Sequence, residues 1–191
     1  MNPLSIHRAA RLALMSLVLA MALPAQSAEP PLPVVPHLDL QRYSGRWYEI
    51  ARLPNFFQRK CVGDVSADYG PLPNGQVSVV NRCRIEDGSF TQSGGVARRA
   101  VHPSEADDVG RLQVNFAPAW LGWLPMVWGD YWVMDLADDY STALVGTPNR
   151  DYLWLLSRTP TMANEEVERW LGKAAALGFD KQAVERTTHR P

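Results

Sequence analysis

The chain has 191 residues, with 20 acidic and 19 basic side chains, a formal net charge of −1 and 46% hydrophobic residues. This length suits one domain with a core large enough to fold alone. Because no block of Lys or Arg stands out, the composition argues against nucleic acid as a partner.

The first 28 residues predict a secretory signal peptide. Basic His7, Arg8 and Arg11 precede an apolar run from Leu12 to Leu23, and small residues follow at 25–28. The run is shorter than the roughly 20 residues that a membrane span needs, so a retained anchor is the weaker alternative. Without Arg8 and Arg11, 17 basic residues oppose 20 acidic ones, and the exported chain carries about −3.

Residues 29–36 are rich in proline and predict an extended N-terminal arm. The folded domain is expected to span residues 37–191. It begins with Gly45-Arg46-Trp47-Tyr48-Glu49-Ile50-Ala51-Arg52, in which a glycine turn leads into an alternating segment typical of a strand. A Trp at this place is either an ordinary core residue or a plug.

Short β-rich runs then recur at regular spacing, separated by turn-forming residues. This pattern favours an antiparallel sandwich or barrel. No helical segment lies between the runs, which argues against a parallel α/β sheet. We predict eight strands, near residues 46–53, 61–69, 76–84, 90–101, 110–116, 128–136, 141–147 and 152–158.

The chain has two cysteines, Cys61 and Cys83, and cysteines of an exported protein are candidates for pairing. Their midpoint, Leu72, lies in the proline-rich turn between the second and third strands. Residues equidistant from a hairpin turn lie opposite each other, so we expect a structural disulfide between them. A catalytic thiol is the alternative.

The connection at residues 117–127 contains Trp120 and Trp123 among several aliphatic side chains. Such a loop is not expected to be exposed without a reason. Three explanations remain open: it folds over the interior, it contacts a membrane surface, or it forms a homodimer interface.

One helix is predicted after the strands, at residues 162–177. Thr161 or Asn164 is expected to cap it, apolar residues from Val167 onward recur at helical spacing, and Gly178 ends it. A closing strand is expected from Gln182 to Thr188.

The Gly45 to Arg52 segment and the late Ser157-Arg158-Thr159-Pro160 segment together resemble the lipocalin family, in particular its bacterial, apolipoprotein-D-like branch of outer-membrane lipocalins. The resemblance covers roughly residues 37–189. It implies an all-β fold: an eight-stranded antiparallel up-and-down β-barrel with one C-terminal α-helix packed outside. In that family the Trp closes the bottom of the barrel, and a late Arg packs across it.

The topology provides a check on this resemblance. In an up-and-down meander Trp47 begins the first strand and Arg158 ends the eighth at the same end, so the two side chains are able to meet. The family's Asp-Tyr turn between strands six and seven corresponds to Asp138-Asp139-Tyr140, with the role of each Asp left open. The closed-end motif therefore comprises Gly45, Trp47, Asp138, Tyr140 and Arg158.

Many bacterial relatives carry a lipid-modified cysteine directly after the signal peptide, and no cysteine lies near that segment here. The resemblance therefore predicts a soluble periplasmic protein, with association with the outer membrane as the alternative.

If Trp47 marks the closed end, the connections after strands one, three, five and seven form the mouth. Period-two alternation then predicts the interior lining. Arg59, Lys60 and Arg150 are candidates to meet an anionic head group near the mouth. The predicted ligand-binding residues are Glu49, Ala51, Phe56, Phe57, Val114, Phe116, Trp120, Trp123, Tyr131, Val133, Tyr152, Trp154 and Leu156.

The resemblance implies a non-catalytic carrier of fatty acids, lysophospholipids or similar apolar molecules of the bacterial envelope. We expect no catalytic residues, metal or cofactor, because the histidines are scattered and no metal-ligand spacing appears. A lipocalin-fold enzyme, a haem or pigment binder, and a barrel filled by its own side chains remain alternatives.

Overall fold

The structure, a computed structural model, describes residues 31–100 and 109–190. The predicted signal peptide, residues 1–28, lies outside those residues. No helix among them is long and apolar enough to cross a membrane.

Eight antiparallel strands form a closed barrel, as predicted. Each strand pairs with the next along the chain, and β1 pairs with both β8 and β2, which closes the sheet. The strands are β1 (Gly45–Arg52), β2 (Gly63–Pro71), β3 (Val77–Arg84), β4 (Phe90–Arg99), β5 (Arg111–Asn115), β6 (Gly129–Leu136), β7 (Thr142–Gly146) and β8 (Leu153–Ser157), followed by a short β9 (Glu185–Arg186). The helices are α1 (Leu40–Tyr43) and α2 (Asn164–Ala176).

Two large apolar clusters position these elements, beside a small one of Val77, Val79 and Ala97. One lies inside the barrel at the end where β1 begins, and Trp47 and Leu38 are fully buried in it. The other lies between the outer barrel surface and α2, where Val167, Trp170 and Leu171 pack. All five residues of β7 are buried, because this strand lies between the two clusters.

Helix α2 is shorter by two residues at its start than predicted. The prediction that Thr161 or Asn164 caps it is wrong: Ala163 is the N-cap and makes no side-chain hydrogen bond. Glu165 and Glu166 in the first turn favour the helix through its dipole. Gly178 ends the helix at a φ of 91°, a left-handed conformation that glycine adopts without strain.

The N-terminal arm, described from residue 31, docks on the barrel. Leu32 is buried in the cluster beneath α2. The Val35 N–H donates to the carbonyl of Val133 at 2.9 Å, and the Gly110 N–H donates to the carbonyl of Val35 at 2.8 Å.

The C-terminal segment differs from the predicted strand at 182–188. Residues Lys181–Ala183 form a 3-10 turn, and only Glu185 and Arg186 pair with β1. The Thr187 N–H then donates to Ile50 O, and the Asp64 N–H of β2 donates to Thr188 O. The segment therefore lies between β1 and β2 beyond the point where those strands pair directly.

Candidate ligand-binding cavity

The closed end is sealed by Trp47, which is fully buried, and by Arg158, whose guanidinium carbon lies 3.9 Å from the indole centroid. Arg158 also donates to three carbonyl oxygens, those of Arg42, Arg46 and Tyr140, at 2.7, 2.9 and 3.2 Å. Gly45 has a φ of 92°, which lets the chain turn from α1 into β1 directly beside Arg158. These contacts confirm the meeting of Trp47 and Arg158 that the meander predicts.

The turn between β6 and β7 lies at the same end. The Tyr140 hydroxyl accepts a hydrogen bond from the Asp39 N–H, and its ring lies 3.9 Å below the Arg42 guanidinium. Asp139 supplies the turn's carboxylate, which accepts from the Ser141 N–H at 2.9 Å. Asp138 contributes its backbone carbonyl, which accepts from Arg42. The turn therefore fastens α1 to the barrel floor.

Above this floor the barrel holds a cavity of about 600 Å³. The residues around it include parts of the connections after β1, β5 and β7, so it opens at the end opposite Trp47. The mouth therefore lies where the meander predicts it.

Nine of the thirteen predicted ligand-binding residues line this cavity. They are Glu49, Phe56, Phe57, Val114, Phe116, Tyr131, Tyr152, Trp154 and Leu156.

The predicted inward orientation of Ala51 is wrong. A bulge at Ile50 shifts the β1–β8 register between Glu49 and Ala51, and Ala51 is buried in the cluster beneath α2. Val133 does face inward, but it packs around Trp47 in the floor, below the cavity.

Trp120 and Trp123 also do not line the cavity. Their side chains are 73% and 78% exposed, and neighbouring Met126 is 84% exposed. The loop carries two 3-10 turns, at Ala119–Leu121 and Pro125–Val127, and points these side chains into solvent. These three side chains therefore do not fold over the interior, although Ala117 and Val127 at the two ends of the loop line the cavity.

The cavity has two unlike walls. Phe57, Tyr152 and Trp154 form an aromatic wall near the mouth, with Tyr152 and Trp154 stacked at a centroid distance of 5.9 Å. The facing wall is polar, a feature that the sequence interpretation missed although small polar residues alternate along β4. Its residues include Ser66, Asn81, Thr91 and Ser93.

Two cations border the cavity, Lys60 and Arg82. Of the candidates for meeting an anionic head group, only Lys60 lines it. Arg59 donates to the Phe56 carbonyl, and Arg150 donates to Leu177 O at the end of α2. Arg82 was not predicted; its guanidinium lies 4.1 Å from the Phe90 ring centroid.

Glu49 is a buried carboxylate in the cavity wall, with 3% of its surface exposed. It accepts hydrogen bonds from Arg52 at 2.9 Å, from Gln58 at 2.7 Å and from the Thr187 hydroxyl at 2.5 Å. The Gln58 amide oxygen in turn accepts from the Trp154 indole at 3.1 Å. These three hydrogen bonds satisfy the buried carboxylate. Through Gln58 and Thr187 they also join the connection after β1 and the C-terminal segment to the cavity wall.

Three tyrosines meet at the base of the cavity. The Tyr131 hydroxyl lies 2.8 Å from that of Tyr43 and 3.0 Å from that of Tyr69. Burial raises the pKa of all three, that of Tyr69 to about 12. The hydroxyls are therefore protonated at neutral pH.

Cys61 and Cys83 form the predicted disulfide, with a Cα–Cα distance of 5.5 Å. They are not direct partners across the ladder, however, because Tyr69 pairs with Val79 and the hairpin is centred on Asn74 rather than Leu72. Cys61 lies before β2, where its N–H donates to Gln58 O. The disulfide therefore fastens the connection after β1 to β3 at the cavity wall.

Within the described ranges, no group of three or more His, Cys, Asp and Glu side chains is placed to hold a metal ion.

Comparisons with known proteins place this architecture among relatives. A family model described as a lipocalin-like domain matches residues 38–189. The chain is 39% identical over 155 residues to temperature-induced lipocalin-1 of Arabidopsis thaliana, covering 81% of each chain. It is 38% identical over 148 residues to the outer membrane lipoprotein Blc of Escherichia coli (strain K12), covering 77% of each. It is 31% identical over 167 residues to apolipoprotein D of Mus musculus, covering 83% of this chain and 80% of that protein.

Among solved structures, insecticyanin from the tobacco hornworm Manduca sexta superposes with a TM-score of 0.64 at 19% identity. The match covers 84% of this chain and 86% of that one. This likeness concerns the fold.

Proposed function

Because this chain belongs to the lipocalin family, whose members typically bind small hydrophobic ligands, we propose that it binds one apolar ligand with a long acyl chain. The ligand class is fatty acids or lysophospholipids, held for transport or storage. Lipocalin relatives are generally binding and transport proteins rather than enzymes, and we propose the same non-catalytic role here.

The observation that carries this proposal is the cavity of about 600 Å³ inside the barrel. Small-molecule sites span roughly 300–1,000 Å³, so the cavity is large enough for a lipid chain. Each methylene transferred from water to such an interior contributes about 0.8 kcal/mol. The aromatic wall of Phe57, Tyr152 and Trp154 offers the chain an apolar surface.

Two cations at the cavity border support an anionic head group, with Asp130 as the acidic residue on the opposite strand β6. Lys60 and Arg82 both lie there, and both are exposed. Arg52 already donates to the buried carboxylate of Glu49, so it offers no free positive charge to the head group. We propose that the head group remains near Lys60 and Arg82, where water still solvates it.

We further propose that the protein is exported to the periplasm and contacts a lipid surface through the loop at 117–127. The signal-peptide pattern at 1–28 supports export, and the disulfide is typical of an oxidising compartment. The exposed side chains of Trp120, Trp123 and Met126 support the lipid contact. A homodimer through the same loop is the competing proposal.

A pair of neighbouring substitutions tests ligand binding in the cavity. Asn81 lines the cavity, whereas Val80, the preceding residue of β3, faces outward and is 36% exposed. We expect Asn81→Trp to fill the cavity and to weaken binding of an apolar fluorescent probe by about tenfold or more. Val80→Trp is the matched control, with the thermal stability of both variants measured.

Native mass spectrometry of the protein purified from its own envelope complements this titration. A bound fatty acid or lysophospholipid is expected in the wild type and should be depleted in Asn81→Trp. If no lipid is recovered and fatty acid does not displace the probe, the carrier proposal is wrong.

A further inference from the structure

The three tyrosines at the base of the cavity have more donors than internal hydrogen bonds. Tyr43, Tyr69 and Tyr131 carry three O–H donors, but only two hydroxyl–hydroxyl contacts link them, both through Tyr131. None of the three makes another side-chain hydrogen bond with the residues that the structure describes. One O–H therefore has no acceptor within this cluster.

Two of the three tyrosines can present the unmatched O–H donor to the cavity. Tyr69 and Tyr131 line the cavity, whereas Tyr43 lies below it. A separate void of about 10 Å³ is bordered by all three tyrosines and by mostly apolar side chains, and it holds at most about one water molecule. Only the main cavity is large enough to bring a ligand to the cluster.

The electrostatic setting favours an acceptor at this place. A tyrosine with its ordinary pKa of about 10 is protonated at neutral pH, and burial raises the pKa of these three further, so their hydroxyls act as donors. The guanidinium of Arg158, which packs on Trp47 in the floor, partly offsets the rise that burial causes in the pKa of Tyr43 and Tyr69. An oxygen with partial negative charge is therefore stabilised at the base of the cavity.

We propose that this cluster is a recognition site for a hydrogen-bond acceptor oxygen at the inner end of the ligand. The ligand class is an elongated apolar molecule whose leading end is oxygenated, such as an oxo- or hydroxy-acyl chain. This inference rests on the proposed function and deepens it: the chain makes apolar contacts with the upper walls, and its innermost atoms are selected by a polar contact. A saturated hydrocarbon end leaves the donor unmatched, which costs affinity.

Positional isomers of one ketone test this inference. 2-Tridecanone carries its carbonyl at one end and 7-tridecanone in the middle, so the two have equal composition. Their displacement of an apolar fluorescent probe is measured with the wild type and with Tyr43→Phe/Tyr69→Phe/Tyr131→Phe. Replacing all three hydroxyls together avoids leaving a buried polar group without a partner, so this variant is expected to fold.

The wild type is expected to bind 2-tridecanone about two- to tenfold more tightly than 7-tridecanone, and the triple variant is expected to lose that preference. In Tyr48→Phe, which removes the hydroxyl of a β1 tyrosine that packs on His189 and does not line the cavity, the preference is expected to persist. Equal binding of both ketones by the wild type, or a preference that disappears in Tyr48→Phe and not in the triple variant, overturns the inference. Failure of both ketones and of dodecanoic acid to displace the probe contradicts the proposed function itself.

If the triple variant does not fold, a measurement on the wild type alone still tests the inference. Nuclear Overhauser contacts are expected between the C1 methyl of bound 2-tridecanone and the ring protons of Tyr69 or Tyr131. Contacts of that methyl with only Phe57 or Tyr152 overturn the inference.

The acceptor oxygen could come from either end of the ligand. In one orientation the carboxylate enters the cavity first and reaches the tyrosines. In the other the carboxylate stays at the mouth, and an oxygen at the far end of the chain reaches them. Dodecanoic acid and 12-hydroxydodecanoic acid distinguish them. If the carboxylate enters first, the triple variant weakens both acids to a similar extent. If it stays at the mouth, the triple variant weakens only the hydroxylated acid. An equal affinity of wild type and triple variant for both acids counts against the site.

Discussion

At the scale of single residues, Arg158 makes more contacts than its partly exposed position suggests. It joins three segments that are distant in sequence: the end of α1 through Arg42 O, the start of β1 through Arg46 O and the β6–β7 turn through Tyr140 O. Its planar guanidinium matches this set because its donors are held in a fixed fork while its face covers the Trp47 ring. A lysine retains the charge but lacks that fork.

We therefore expect Arg158→Lys to lower the free energy of unfolding by about 1–3 kcal/mol, because at least two charge-assisted hydrogen bonds are lost. Urea denaturation at neutral pH measures this. Arg46→Lys is the control, because it makes the same substitution near the same end of the barrel. Arg46 pairs with Asp68 and is half-exposed, so we expect this variant to lose less than about 1 kcal/mol. Equal losses in the two variants would contradict the role assigned to Arg158.

At the scale of elements, the strands were predictable because each is a short β-rich run ended by turn residues. Observed strand ends lie within about two residues of the predicted ones, for example Thr142–Gly146 against 141–147. The burial of Trp47 beneath Arg158 was also predictable, because the parity of an up-and-down meander places both residues at one end.

Local irregularities limited the prediction of side-chain orientation. The bulge at Ile50 reverses the alternation of β1, so Ala51 faces α2 instead of the cavity. The disulfide was predicted correctly from an incorrect register, since Cys61 reaches Cys83 from a loop rather than from the ladder. Neither feature leaves a sequence signal that period-two counting detects.

The tyrosine cluster was not predictable for a different reason. Tyr43, Tyr69 and Tyr131 come from α1, β2 and β6, and only the closed barrel brings their hydroxyls together. Of these, the sequence interpretation included Tyr131 alone. The polar wall at Asn81 and Ser93 was missed because an alternation of small polar residues also describes a strand face in solvent.

The loop at 117–127 is the element whose exposure most needs an explanation. If it contacts a lipid surface, Trp120→Ser/Trp123→Ser should weaken sedimentation with phosphatidylglycerol-containing vesicles by about tenfold or more, because indole rings partition into the membrane interface. Both side chains are largely exposed, so stability should change by no more than about 0.5 kcal/mol per site.

Val80→Ser, which shortens an exposed apolar side chain on β3, serves as the control for that experiment. Vesicle binding that is equal in the double variant and the wild type would contradict the lipid contact. A wild-type dimer that dissociates in the double variant would instead assign the loop to self-association.

At the scale of the whole molecule, the barrel is completed by residues from the far end of the chain. The segment from Glu185 to Arg190 lies between β1 and β2, and Asp64 holds its end. The Asp64 carboxylate accepts from the Arg190 N–H at 2.7 Å, from the Arg190 guanidinium at 2.8 Å and from Arg84 at 2.7 Å. One acid thus joins the second strand, the third strand and the C-terminal segment.

Because of this arrangement, the free energy of unfolding is expected to depend on pH in the acidic range. Burial alone would raise the pKa of Asp64, but the hydrogen bonds from Arg190 and Arg84 outweigh it and lower the pKa to about 2. An unfolded Asp has a pKa of about 3.9. Because the folded value is the lower one, Asp64 stabilises the fold above about pH 4, and this contribution is lost as the pH falls through about 2.

We expect Asp64→Asn to lower the free energy of unfolding by about 1–2 kcal/mol at pH 6, and most of the difference from the wild type to vanish by about pH 2. Urea titrations across this range measure it, and carboxypeptidase release of the last residues should quicken in the variant because the C-terminal segment loses its anchor. Asp87→Asn is the matched control, since hydrogen bonds from Ser89 lower the pKa of Asp87 within its own turn, far from that segment. A variant whose difference from the wild type stays constant from pH 6 to pH 2 would show that Asp64 does not control closure of the barrel by the C-terminal segment.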